Sequence, residues 1–185
     1  MRADDVVMLV LHASDTKMVA GRTLLQKTIY FLNETSDLGI DFAPHYYGPY
    51  STGVAAAVES LKASGIVKEV IEEFPPFSTS VGFEPRRYTY HLTGIGKKIV
   101  ENVRSKYPKE AKRIRDQLSS MKELDGAENY KNLSIAAKMY HTLKIEDKPR
   151  TIDEIQEEAE CLNWNIGETG AEDALKFLKG LKMVE

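Results

Sequence analysis

Apolar residues recur at helical spacing over most of the chain and alternate only in one central stretch, and this change of period lays out the architecture. Residues 3–14 are apolar around most of a helical surface, with Val6 to Leu11 unbroken, which predicts a central first helix. Met18 to Arg22 reads as a connector punctuated by Gly21. Thr23-Leu-Leu-Gln26 fits a capping box, so a second helix is expected from Leu24 to about Glu34, with Leu25, Ile29 and Leu32 on one face. Phe42 to Tyr47 looks extended. Ser51 is placed to cap a third helix, Thr52 to Ala63, whose inward residues are Val54, Ala57, Val58 and Leu61 and which Gly65 ends.

The period then shifts to two. Ile66 to Glu73 and Arg86 to Leu92 read as two strands, and Phe74 to Pro85 as a long hairpin tip. Thr93 caps a fourth helix with Ile95, Ile99 and Val103 as its stripe. Pro108 interrupts that helix or starts a new one, and Ala111, Ile114, Leu118 and Met121 continue the apolar face. Asp125 to Asn129 is a polar break. Three more helices follow: Leu133 to Leu143, one from the capping box Thr151-Ile-Asp-Glu154, and one from Thr169-Gly-Ala-Glu172.

The resulting fold class is mainly α with a small antiparallel β-hairpin. Three helices, a hairpin and "Tyr-x-Leu-Thr-x-x-Gly" leading into a long helix give the order of a winged helix-turn-helix. A long basic helix and a second tri-helical unit follow it. The expected division is a winged-helix domain with its basic helix over residues 1–124 and a helix-turn-helix-like unit over 130–185. A repeat supports the second unit. Thr52 to Glu69 and Thr169 to Glu185 both start Thr-Gly, share Ala, aliphatic and Leu positions, and end aliphatic–Val–Lys/Glu. One departure stands out: the second and third helices are separated by Asp37 to Tyr50, far longer than the usual short turn.

Composition narrows the function classes. The chain has 185 residues, 42% hydrophobic and 29% charged, ordinary for a globular protein. No apolar run spans a bilayer, and Asp4 and Asp5 precede Val6 where a signal peptide would carry positive charge, so a cytoplasmic protein with no membrane partner is expected. The single cysteine, Cys161, reads as a small apolar filler on a helix, and the four histidines lack ligand spacing. No metal and no cofactor is expected. There is no nucleophile–base spacing and no phosphate loop; "GIGKK" (94–98) is too short for one. Asp153, Glu154, Glu157, Glu158 and Glu160 read as a solvated helix face. The chain is therefore expected not to be an enzyme.

Charge is uneven. Residues 84–115 hold ten basic side chains against three acidic ones, whereas residues 125–185 hold eight against thirteen. Arg86 and Arg87 flank the expected wing, Lys97, Lys98 and Arg104 follow it, and Lys62 ends the third helix. These six are the candidate nucleic-acid contacts, suited to phosphates and hence to salt-dependent affinity without base information. The outward face of the third helix (Thr52, Ala55, Ala56, Glu59, Lys62) offers few groups to base edges.

"Gly-Arg-Thr-Leu-Leu-Gln-Lys-Thr-Ile-Tyr-Phe-Leu" (21–32), "His-Tyr-Tyr-Gly-Pro-Tyr-Ser" (45–51) and an alanine-rich helix ending "Gly-Ile-Val" (65–67) resemble the YwgA-like proteins. More distantly they resemble the Panacea domain of SocA-type antitoxins, which carries a similar Leu-Gln-Lys…Tyr-Gly-Pro pattern. The resemblance covers roughly residues 5–95. It implies a helical, winged-helix-like fold and, from the antitoxins, neutralisation of a toxin or adaptor activity through protein contact.

Two functions are expected. The first is a winged-helix DNA-binding regulator, with a homodimer as its natural form. The alternative is a protein-interaction module of antitoxin or proteolytic-adaptor type, with Tyr46, Tyr47, Tyr50 and Thr52 meeting a protein partner such as a toxin. Alternation turns one of Tyr46 and Tyr47 inward and leaves the other exposed with Tyr50.

Overall fold

The computed structural model describes residues 1–14, 18–73, 86–146 and 149–185, which form eight helices and three strands. The apolar run Val6–Leu11 makes α1 (Ala3–Ala13) a buried axle. It packs against α3 (Thr52–Ala63), α4 (Gly94–Lys106) and α5 (Pro108–Lys122). Strands β2 (Val67–Glu73) and β3 (Arg86–Leu92) pair antiparallel from Val67↔Leu92 to Glu73↔Arg86, at the expected positions. The expected hairpin tip, Phe74 to Pro85, lies outside the described residues.

The connector expected over residues 18–22 is instead a third strand, β1 (Met18–Ala20), which joins β3 to give the sheet order β1-β3-β2. This moves the start of the next helix. The Gly21 amide donates to Tyr88 O at 2.5 Å, the chain turns at a φ of 97° that favours glycine, and α2 (Arg22–Ser36) begins at once. Thr23 therefore sits inside the first turn and caps nothing. Arg22 secures this entry, with its guanidinium 3.8 Å from the centre of the Tyr88 ring and its Nε donating to the Tyr90 hydroxyl.

The expected caps at Ser51, Thr93 and Thr151 are present, each hydroxyl accepting from a backbone N–H three residues on. Pro108 opens α5 as its first residue, after a break at Tyr107. The stripe of α4 is rotated from the one expected. Gly96, Val100 and Val103 are buried, while Ile95 is exposed. Gly96 explains it: a Cβ there would lie 2.2 Å from Ile66 O, so the helix presses its glycine onto the start of β2 and rolls Ile95 outward.

α6 (Tyr130–Glu146), α7 (Ile152–Cys161) and α8 (Glu168–Gly180) complete the chain. Cys161, expected as an apolar filler, is instead exposed at the end of α7. Thr169 does not form its expected box, because α8 starts two residues earlier, with Gly167 in the N-cap position. Two apolar clusters result, and α2 contributes to both. Leu25, Ile29 and Leu32 join α1, α3, α4 and the sheet, while Tyr30 and Phe31 join Trp164 and the residues of α6 to α8.

The repeat has a structural counterpart in how two helices end. Val54, Ala57 and Leu61 of α3 and Ala171, Ala174 and Leu178 of α8 are the matching buried positions. Gly65 N donates to Lys62 O and Ile66 N to Leu61 O; in the second copy Lys182 N donates to Lys179 O and Met183 N to Leu178 O. Gly65 has φ 66° and Lys182 has φ 57°. The same left-handed turn is thus made by glycine in one copy and by lysine in the other. Lys182→Gly is expected to stabilise the protein by about 1 kcal/mol, read as a higher urea midpoint at unchanged m-value.

Candidate functional site

The segment between α2 and α3 is a small hairpin. Ala43 N donates to Tyr50 O and Tyr50 N to Ala43 O, at 3.0 and 2.8 Å, and Gly48 N closes a turn onto His45 O at 2.8 Å. Tyr46 and Tyr47 are the two central residues of that turn, and Gly48 follows with φ 91°. This corrects the extended reading of Phe42 to Tyr47. Alternation does not hold through a turn, so neither ring points inward. Tyr46 is 71% and Tyr47 54% exposed, and the two rings meet edge to face with centroids 4.8 Å apart. Tyr50 is half-buried, with its ring 4.9 Å from the His45 ring, and Thr52 is exposed at the start of α3.

The base of the turn is anchored from two directions. Gln26 donates through Nε2 to Ser51 O and accepts from Ser51 N through Oε1, both at 3.0 Å. Lys27 Nζ donates to Pro49 O at 2.6 Å. Across 119 residues of sequence, Trp164 Nε1 donates to His45 O at 2.6 Å. Gly48 is pressed on α6, where a Cβ would lie 3.0 Å from Lys138 Cγ and 3.4 Å from Ser134 O. The Leu-Gln-Lys and Tyr-Gly-Pro-Tyr-Ser stretches are therefore two halves of one clamp. Gln26, Lys27 and Trp164 were not among the expected site residues. Gln26 had a local role on offer as a helix cap, and nothing in the spacing of Trp164 links it to His45.

The clamp buries charge. Lys27 is 1% exposed, and burial pushes its ammonium down to about 7, with the nearby Lys138 charge adding to the effect. Burial also lowers Lys138 and His141. The His141 ring packs 5.9 Å from Trp164, and Lys144 pairs with Glu34 at 2.7 Å on the outer side. The site is thus a rigid platform carrying two exposed phenol rings above an interior lysine.

The candidate phosphate contacts are less available than their number suggests. Lys62 is bonded to Glu59 and Glu69, Arg104 to Glu101, and Arg86 lies 3.2 Å from Glu73. Arg87 is exposed beside Arg86. Lys97 and Lys98 are exposed on the first turns of α4 and make no ion pair among the described residues. The six do not converge on one element: they are spread over α3, β3 and α4. A groove of about 570 Å³ runs between the end of α1 and the α4–α5 junction; Arg104 and His12 pair with Glu101 inside it, while Lys112 and Arg115, which also line it, pair with Asp116 outside the lining. Among the described residues no group of three His, Cys, Asp or Glu side chains could hold a metal ion, and no helix is long and apolar enough to cross a membrane. Compared with known proteins, the chain matches no family model and no curated sequence.

Proposed function

We propose that this chain is a protein-interaction module built on a winged-helix-like scaffold, with the tyrosine turn as its contact surface. The element order α1-β1-α2-α3-β2-β3, with β1 completing the sheet beside β3, supports the scaffold reading. The observation that carries the function is the exposure of both Tyr46 and Tyr47 on a turn whose base is fixed by Gln26, Lys27 and Trp164. Rings held this way offer large contact area with little ordering left to do on binding, as interface hot spots require. The resemblance to Panacea antitoxins rests on the same two stretches and supports an antitoxin or adaptor role.

DNA binding is the second reading. Lys97 and Lys98 favour it, as cations next to the hairpin with no ion pair among the described residues. The exposed face of α3 does not, since Thr52, Ala56, Glu59 and Ser60 give a weak, partly anionic reading surface.

One comparison separates the two. The tagged chain is purified from its native host alongside Tyr46→Ala/Tyr47→Ala. A stoichiometric protein partner is expected with the parent and lost, by at least tenfold in yield, with the double variant, while the melting temperature moves by no more than about 2 °C because exposed rings contribute little to stability. In parallel, duplex DNA is titrated at two salt concentrations. Binding that weakens steeply with salt and is reduced by Lys97→Ala/Lys98→Ala would overturn the interaction reading in favour of the nucleic-acid one.

A further inference from the structure

β2 ends the sheet, and among the described residues no other strand covers its outer edge. Two hydrogen bonds fix which of its backbone groups face outward. Thr93 N donates to Ile66 O, and Gly21 N donates to Tyr88 O. With the register Val67↔Leu92, the first bond directs the amide and carbonyl of Lys68, Val70 and Glu72 toward β3. The second agrees, since it commits Tyr88 and Tyr90 to the β1 side and leaves Arg87, Thr89 and His91 for β2. The amides and carbonyls of Val67, Glu69, Ile71 and Glu73 therefore point off the sheet as a ladder edge that is unpaired among the described residues.

The side chains along this edge are self-complementary. Glu69 is held by Lys62 at 2.8 Å and lies 3.7 Å from Arg22, and Glu73 lies 3.2 Å from Arg86. Lys68 and Glu72 form no ion pair among the described residues. They lie on one face, and at four residues apart, about 13 Å along a strand, they cannot reach each other. Ile71 is 49% exposed.

We propose that β2 is a homodimerisation edge, pairing antiparallel with β2 of a second copy about a two-fold axis at Val70. In that register Lys68 faces the second copy's Glu72 and Glu72 its Lys68, while Val70 meets Val70. Glu69 and Ile71 face each other as hydrogen-bonded pairs, which is the parity their outward amides require. A shift by one residue would set inward-facing amides against the partner, and a shift by two would separate the Lys68–Glu72 pairs. The two three-stranded sheets become one six-stranded sheet. The interface is small and charged at its face, so it belongs to the weak, salt-sensitive class. It is independent of the tyrosine turn.

Sedimentation equilibrium on the full chain tests this. A monomer–dimer equilibrium in the micromolar range is expected at low salt. Glu72→Lys should weaken it about tenfold, since it opposes like charges at two symmetric places, and adding Lys68→Glu should restore it. Ile71→Pro removes an outward amide but no bond to β3, so dimerisation should be lost while the protein stays folded. In a Cys161→Ser background, Val70→Cys should form a disulfide-linked dimer on mild oxidation and Lys68→Cys should not. A chain that remains monomeric at millimolar concentration overturns the proposal. So does a dimer whose affinity is unmoved by the charge reversal and its rescue, which decide the matter even if the proline variant fails to fold.

Discussion

Trp164→Ala is expected to destabilise the protein by about 3–5 kcal/mol and lower its melting temperature by roughly 10 °C. Trp164 is 1% exposed and one of the largest wholly buried side chains. It packs with His141, belongs to the cluster of Tyr30, Phe31 and Phe177, and spends its only donor on His45 O. Its removal leaves a cavity and takes one donor from a carbonyl at the base of the tyrosine turn. Trp164→Phe divides these effects. It keeps most of the packing and loses the hydrogen bond, so its cost should be nearer 1–2 kcal/mol. Urea denaturation of the three proteins measures both. If the turn depends on this anchor, Trp164→Phe should also weaken partner capture, although residue 164 lies under the platform and not on it.

Stability is expected to rise between about pH 7 and pH 10. The unfolded chain keeps the Lys27 proton up to its ordinary 10.5, whereas the folded chain releases it near 7. Within that window the unfolded state binds more protons, so raising the pH favours folding. Lys138, also lowered by burial, contributes in the same direction. A tenfold loss of proton affinity corresponds to about 1.4 kcal/mol, so the full penalty carried by Lys27 below pH 7 is on the order of 5 kcal/mol. Above pH 10 the trend should reverse. Burial raises the Tyr30 phenol, the unfolded chain then ionises first, and stability falls as the pH climbs further. Lys27→Met keeps the length and removes the charge. It should be more stable than the parent at pH 6 by roughly 2–4 kcal/mol, less than the full penalty because Pro49 O loses its donor, and less stable than it by about 1–2 kcal/mol at pH 10, where little but that lost donor remains. Urea midpoints at pH 6, 8 and 10 check this. A parent and variant with parallel profiles would mean that Lys27 carries no buried charge.

Those two side chains also mark where sequence reasoning stopped. Features whose partners lie within a few residues were legible. The caps at Ser51, Thr93 and Thr151 follow from a three-residue spacing, and β2 and β3 follow from alternation bounded by turn residues. Features closed by a distant partner were not. β1 has three residues and exists because β3, some seventy positions later, accepts its ladder. The Thr23 box was a sound local pattern overridden by that strand, and Gln26 was drawn instead to Ser51. The charge of residues 84–115 was visible, and so were the neighbours that temper it: Glu101 three residues before Arg104 and Asp116 four after Lys112. The turn at His45 to Gly48 misled because its two tyrosines look like strand residues; the reversal shows in the hydrogen bonds from Gly48 N to His45 O and between Ala43 and Tyr50.

The double allegiance of α2 has a bearing on how this chain can change over generations. One side of the helix is fitted to α1 and the sheet, the other to the three closing helices. A drift in Tyr30 or Phe31 must be answered in the last third of the chain, and a drift in Ile29 in the first two thirds. Neither half can be exchanged for a foreign module without refitting that shared wall, so the tyrosine platform, which stands on it, is inherited with the whole chain or not at all.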